Sequence, residues 1–171
     1  ELQNDIIHVL PLSRNSGKGN AIREALPLVE STHVIVHDAD LEYFPDDILE
    51  MFKLVEENPQ NLILGSRTLS GKKRENKYKV TYYANKYLTY LFSILNFTSI
   101  TDIASCYWLV ETDALRKFDL EEKGFSIEVE VLSKFLKTNN DIMEVPIKYT
   151  GRTYEDGKKI KFNDGIIIFL K

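Results

Sequence analysis

The chain has 171 residues, 43% of them apolar and 28% charged, with a formal charge of −4. That is enough for one core in one domain, and the acidic balance argues against a dedicated nucleic-acid binder, which would normally be basic. Cys106 is the only cysteine, so an intrachain disulfide is excluded and a thiolate metal site is not expected. No run of 18 apolar residues marks a membrane span, and the charged, polar first residues do not read as a signal peptide.

Taken in chain order, apolar and helical patterns alternate. Ile6–Leu10 is a short apolar run ending at Pro11 and is predicted to be a buried strand. Lys18 to Val29 has helical spacing, with Ala21, Ile22, Ala25 and Leu26 on one side. Val34–Val36 is β-branched and predicts a second strand, ending at His37-Asp38. Pro45 opens a helix with Asp46 and Asp47 in its first turn, where carboxylates suit the helix dipole; it runs to Asn58-Pro59. Leu62–Leu64 predicts a third strand and leads into Gly65-Ser66-Arg67. Val80–Leu95 predicts a long helix rich in Tyr, Leu and Phe, Ser105–Val110 a strand, Ile127–Leu136 a helix, and Ile142–Tyr149 a strand. Gly165–Leu170 is an apolar final segment.

Strands separated by helices predict a mostly parallel α/β sheet flanked by helices. Ligands sit at the carboxyl ends of strands in such sheets, so Asp38, Asp40 and Arg67 are expected to share one crevice. A core strand at the very start of the chain would need neighbours in such a sheet. A further N-terminal part of the domain is therefore expected outside these residues.

The charges are grouped. Asp38 to Glu57 is acidic with Lys53 as its only cation. Arg67, Lys72, Lys73, Arg74, Lys77 and Lys79 form a basic run, and Lys148, Arg152, Lys158, Lys159 and Lys161 form another. An acidic patch can hold a cation and a basic patch phosphate, although any single run also reads as a solvated face. Asp38-Ala39-Asp40 places two carboxylates in one loop, a hard-oxygen pair suited to Mg²⁺ or Mn²⁺ shared with substrate phosphates, and Glu42 can point the same way. The same spacing alone also serves a turn that caps a helix. Asn15-Ser16-Gly17-Lys18-Gly19 opens a helix whose N-terminus favours an anion; it lacks the P-loop pattern and also reads as an ordinary turn. Arg67 and Arg152 are candidate phosphate clamps. His8 and His33 read as structural, and His37 as a neighbour of the metal.

Six blocks follow in order: N-S-G-K-G-N-A-I-R-E-A-L, D-A-D-L-E-Y-F-P-D-D-I, G-S-R, T-D-I-A-S-C-Y-W, G-F-S-I-E-V-E-V-L and P-I-K-Y-T-G-R-T-Y-E-D-G-K-K-I. Together they resemble family 2 glycosyltransferases of the GT-A fold, most of all the polyprenyl-phosphate sugar synthases, which include the dolichyl-phosphate mannose synthases. The resemblance implies a Rossmann-like sheet and a metal held by Asp38, Asp40 and Glu42. It implies a nucleotide-sugar donor near Asn15, Gly17, Lys18, Asp38, Asp40 and Arg67. It places Asp102 near the acceptor, and Arg152 and Lys159 on a late loop that closes over the phosphates. Two departures stand out. The family's first strand and its P-x-Y-N-E-like block are absent, and Ser105-Cys106-Tyr107-Trp108 replaces S-G-F-R.

The implied reaction is a single displacement with inversion, transferring mannose or glucose to a lipid phosphate. Open alternatives are a polysaccharide or other soluble acceptor, and an inactive binding module. Tyr82, Tyr83, Tyr87 and Tyr90 with Lys77, Lys79 and Lys86 suit a membrane interface over residues 80–97, or equally a core helix with a tyrosine rim. The apolar end, Ile166–Leu170, suits membrane contact or packing. The expected location is the cytoplasmic face of a membrane.

Overall fold

The computed structural model describes residues 7–69, 71, 72, 74, 75 and 79–152, with only the backbone of Arg74. Among these residues are six strands: β1 (His33–Ile35), β2 (Leu62–Ser66), β3 (Arg74–Glu75), β4 (Trp108–Glu111), β5 (Ile142–Pro146) and β6 (Tyr149–Thr150). The helices are α1 (Lys18–Ala25), α2 (Ile48–Glu57), α3 (Lys79–Asn96), α4 (Thr112–Lys117) and α5 (Ile127–Phe135). The main sheet has the order β1-β4-β2-β5. β4 is antiparallel to both β1 and β2, and β2 is parallel to β5. Three of the four strands therefore point the same way, as predicted, with one reversed strand between them. Because β4 is reversed, its beginning lies beside the carboxyl ends of the other three. β3 and β6 form a separate parallel pair.

Alternation along the strands divides the core. Leu62, Leu64, Trp108 and Val110 face one side, where they meet Leu26 just after α1, Phe92 of α3, Leu115 of α4 and Ile127, Val131, Leu132 and Phe135 of α5. Ile63, Tyr107, Leu109 and Val145 face the other, against Met51 and Val55 of α2 and the rings of Tyr43 and Tyr149. Each fully buried large apolar side chain contributes about 1.5–3 kcal/mol.

Three predictions change. Ile7 makes only an isolated bridge, while Val9 and Leu10 are exposed; the described sheet gives this run no neighbours to bury it. α1 stops at Ala25 and continues as a 3-10 turn over Leu26–Leu28, because Pro27 has no N–H to continue the helical ladder. The predicted strand over Ile142–Tyr149 divides after Pro146 into β5 and β6, again where a proline removes a ladder donor. Gly165–Leu170 lies outside the described residues. Among those residues no helix is long and apolar enough to cross a membrane.

Candidate active site

The chain leaves β1 with Val36 N still donating to Trp108 O at 3.3 Å, and Asp38–Glu42 then forms a tight loop. Asp40 Oδ1 accepts from Glu42 N at 3.1 Å. Between them Leu41 sits at φ 64°, in the left-handed region. That conformation costs a leucine about 1–2 kcal/mol and persists because both neighbours are held. Glu42 accepts from Tyr149 Oη at 3.0 Å and from Arg152 N at 2.8 Å, and its carbonyl accepts from Thr150 N at 3.0 Å. β6 thus delivers Arg152 to the loop, where its guanidinium donates to Asp40 Oδ2 at 2.7 Å. Burial pushes the Tyr149 phenol pKa up, and Glu42 reinforces this against the lowering effect of Arg67.

On the other side of the loop, Lys18 Nζ lies 2.8 and 2.9 Å from the two oxygens of Asp38. The same ammonium is 2.8 Å from Glu128 Oε1. Gly17 positions it: φ is 93°, and a Cβ there would stand 2.2 Å from Lys123 O, so only glycine lets α1 start against the segment that precedes α5. Burial works against charge on Lys18. The Cys106 thiol beside it is pushed up by burial and stays neutral, so Glu128 and Asp38 are the charges that outweigh burial and hold the ammonium protonated. Glu128 is 2% exposed. Neither of its oxygens receives a well-directed hydrogen bond, which makes Lys18 a close but poorly aligned partner. Burial raises the Glu128 carboxyl pKa, and Lys18 only partly opposes it.

The third cluster joins the end of β2 to the approach to β4. Arg67 N and Nε donate to Asp102 Oδ2 at 3.0 and 2.7 Å, and a terminal guanidinium nitrogen donates to Oδ1 at 2.7 Å. Asn85 Nδ2 of α3 donates to Oδ1 at 2.8 Å, and the guanidinium lies over the Tyr149 ring, 5.1 Å from its centre. Asp102 is fully buried. Burial alone would raise its carboxyl pKa, but Arg67 and Asn85 outweigh burial and hold it below the usual carboxylate range.

The predicted site residues therefore do share one end of the sheet, but as acid–base pairs. Lys18 binds Asp38, Arg152 binds Asp40, and Arg67 binds Asp102. The carboxylates expected to form a metal set are divided between two cations, and among the described residues no three His, Cys, Asp or Glu side chains converge. Asp102, expected to face the acceptor, has no exposed surface and is spent on Arg67 and Asn85. Asn15 shapes its own turn by accepting from Gly17 N at 3.1 Å. His37 packs on Tyr107, with Nδ1 3.0 Å from the phenol oxygen. His33 is tied to Pro59 O at 2.8 Å, whereas His8 is exposed rather than structural. Lys159 lies outside the described residues. Sequence reasoning missed Asn85, Tyr149 and Glu128. Glu128 did carry a signal, because its helical spacing puts it on the face of Val131, Leu132 and Phe135, where a carboxylate is out of place.

A profile of the family described as glycosyl transferase family 2 matches residues 1–119. The chain is 28% identical over 161 residues to an undecaprenyl-phosphate mannosyltransferase of Micrococcus luteus, covering 89% of this chain and 64% of the relative. It is 25% identical over 158 residues to a polyprenol monophosphomannose synthase of Mycolicibacterium smegmatis, covering 86% and 58%. The chain thus spans about three-fifths of the length of these relatives. Its fold matches glucosyl-3-phosphoglycerate synthase of Mycobacterium tuberculosis, solved with Mn²⁺, UDP-glucose and phosphoglyceric acid, at a TM-score of 0.60 and 14% identity over 96% of this chain and 56% of that one. A structure of the same enzyme with Mg²⁺ and UDP matches at 0.57 and 16% identity, over 88% of this chain and 51% of that one. The fold is that of GT-A enzymes, and the chain belongs to glycosyl transferase family 2.

Proposed function

We propose that the chain is the catalytic part of an inverting, metal-dependent glycosyltransferase that moves mannose or glucose from a nucleotide sugar to a polyprenyl phosphate. One observation carries this reading. Lys18, Arg67 and Arg152 stand with Asp38, Asp40 and Asp102 at the single sheet end where α/β folds bind ligands. The names of the two relatives support the lipid-phosphate acceptor.

Asp38 and Asp40 are each about a quarter exposed and offer hard oxygens from one loop. Mg²⁺ commonly binds one or two carboxylates and completes its shell with substrate phosphates and water, so this pair fits it, or Mn²⁺, without a closed carboxylate cage. The ion would supply charge neutralisation of the leaving diphosphate. Arg152 is placed to transfer its guanidinium from Asp40 to a phosphate, for which it has the matching fork geometry. An acceptor phosphate oxygen attacks the anomeric carbon as the bond to the nucleoside diphosphate breaks. That oxygen is already ionised, so no strong base is required. Asp102 then serves by holding Arg67 beside Tyr149.

Peripheral membrane contact at the cytoplasmic face belongs to the same proposal. Val80, Tyr83, Tyr87, Tyr90 and Ile94 recur every three or four residues on α3 and are exposed, as is Phe97 just beyond its end. α3 contains no Asp or Glu, and its Lys79 and Lys86 are exposed. Such a face suits an anionic interface.

Calorimetric titration with GDP-mannose and UDP-glucose, each with and without Mn²⁺, tests the donor site. Metal-dependent binding of one donor is expected, followed by sugar transfer to a polyprenyl phosphate. Failure to bind either donor would sink the reading, while transfer only to soluble acceptors would remove its lipid half.

A further inference from the structure

Metal and internal cation want the same carboxylates. Lys18 occupies both oxygens of Asp38, and Arg152 occupies Asp40. An incoming divalent ion must therefore displace a lysine that is only 12% exposed and firmly protonated. A buried ammonium released from its carboxylate would be left uncompensated, at high cost. Glu128 changes this. It stands 2.8 Å from the same ammonium, and neither of its oxygens has a well-directed hydrogen bond. The trio of Lys18, Asp38 and Glu128 carries two negative charges against one positive.

We infer that Glu128 is a positioning residue for the metal: it retains Lys18 so that Asp38 can turn from the lysine to a divalent cation. Lys18 then need not move far. It exchanges a shared salt bridge for an exclusive one, and the charge removed from Asp38 is replaced by the ion. The two halves of the D-x-D loop differ in this respect. Arg152 has Glu42 as a second partner only at 3.6 Å through Nε and is the cation set free for the diphosphate, whereas Lys18 is kept. The inference rests on the donor-site reading above.

The test is the affinity for Mn²⁺ alone, read from the electron paramagnetic signal of the free ion, with melting curves to confirm folding. Glu128→Gln keeps the shape and removes the charge; it is expected to weaken Mn²⁺ roughly fivefold, as Lys18 falls back on Asp38. Lys18→Met/Glu128→Gln is expected to restore wild-type affinity or better, because the competitor is gone. Lys18→Met alone, which keeps Glu128, is expected to tighten Mn²⁺ and covers the case in which Glu128→Gln does not fold. Unchanged affinity in Glu128→Gln overturns the inference. So does a double variant as weak as the single one, which would make Glu128 act without Lys18. Wild-type protein that binds no Mn²⁺, even with UDP or GDP, would bring down the metal reading and this inference together.

Discussion

Two largely buried ion clusters stand at the same end of the sheet and are built on opposite plans. Around Asp102, both carboxylate oxygens accept well-directed bonds from Arg67 and Asn85. Around Lys18, one ammonium is divided between Asp38 and Glu128, and Glu128 lacks directed partners. The pKa directions follow: Asp102 is lowered and Glu128 is raised, though burial pushes both up. Burial with both carboxylate oxygens bonded makes a strut. Burial with a shared cation leaves a carboxylate without directed partners.

The largest effect is expected where the strut is broken. Arg67→Met leaves Asp102 buried and unpaired, and urea unfolding should show a loss of about 3–5 kcal/mol. Asn85→Ala removes one bond but leaves the ion pair, so about 1–3 kcal/mol is expected in the same assay. A value near that of Arg67→Met would mean that α3, not the ion pair, holds the cluster. The pH dependence of stability should separate the clusters by sign. Asp102, with a lowered folded pKa, contributes stability above its usual value of 3.8 that is lost as pH falls through the folded value. Glu128, with a raised folded pKa, costs nothing below the usual 4.5 and increasingly destabilises as pH rises from there through its folded value. Melting series should therefore show Asp102→Asn removing part of the acid loss, and Glu128→Gln removing part of the decline above pH 4.5. Equal slopes in both variants would erase the contrast. Arg152→Gln should change stability least, by under about 1 kcal/mol, because its pair is partly exposed. Yet kcat should fall roughly 100-fold if the guanidinium meets the departing diphosphate.

Much of the frame was legible because local chemistry fixed it. Pro45 and its following aspartates do open the segment that becomes α2, and Leu62–Leu64 falls inside β2. The placement of Asp38 and Arg67 at one end of the sheet followed from strand polarity alone. The pairing of predicted cations with predicted anions did not, since Lys18 meets Asp38 and Arg67 meets Asp102 across long stretches of chain that only the folded sheet brings together. Val9 and Leu10 misled because an apolar run signals burial only when neighbours exist to bury it. The six-residue helix α4 passed unnoticed because so short a segment offers little periodicity to read.

The reversed strand β4 also has a consequence in time. It lies between β1 and β2 although it follows both in the chain. Neither can complete its ladder until Trp108–Glu111 has been synthesised, and closing such long intervals delays pairing. A ribosome-bound chain paused after α3 would carry β1 and β2 as separate apolar edges, a form that chaperones bind and that aggregates readily. The loop of Asp38 and Asp40 would then lack the strand that anchors its first turn. The sheet end that carries Asp38 and Arg67 is thus completed late, after the reversed strand has slid between its two elders.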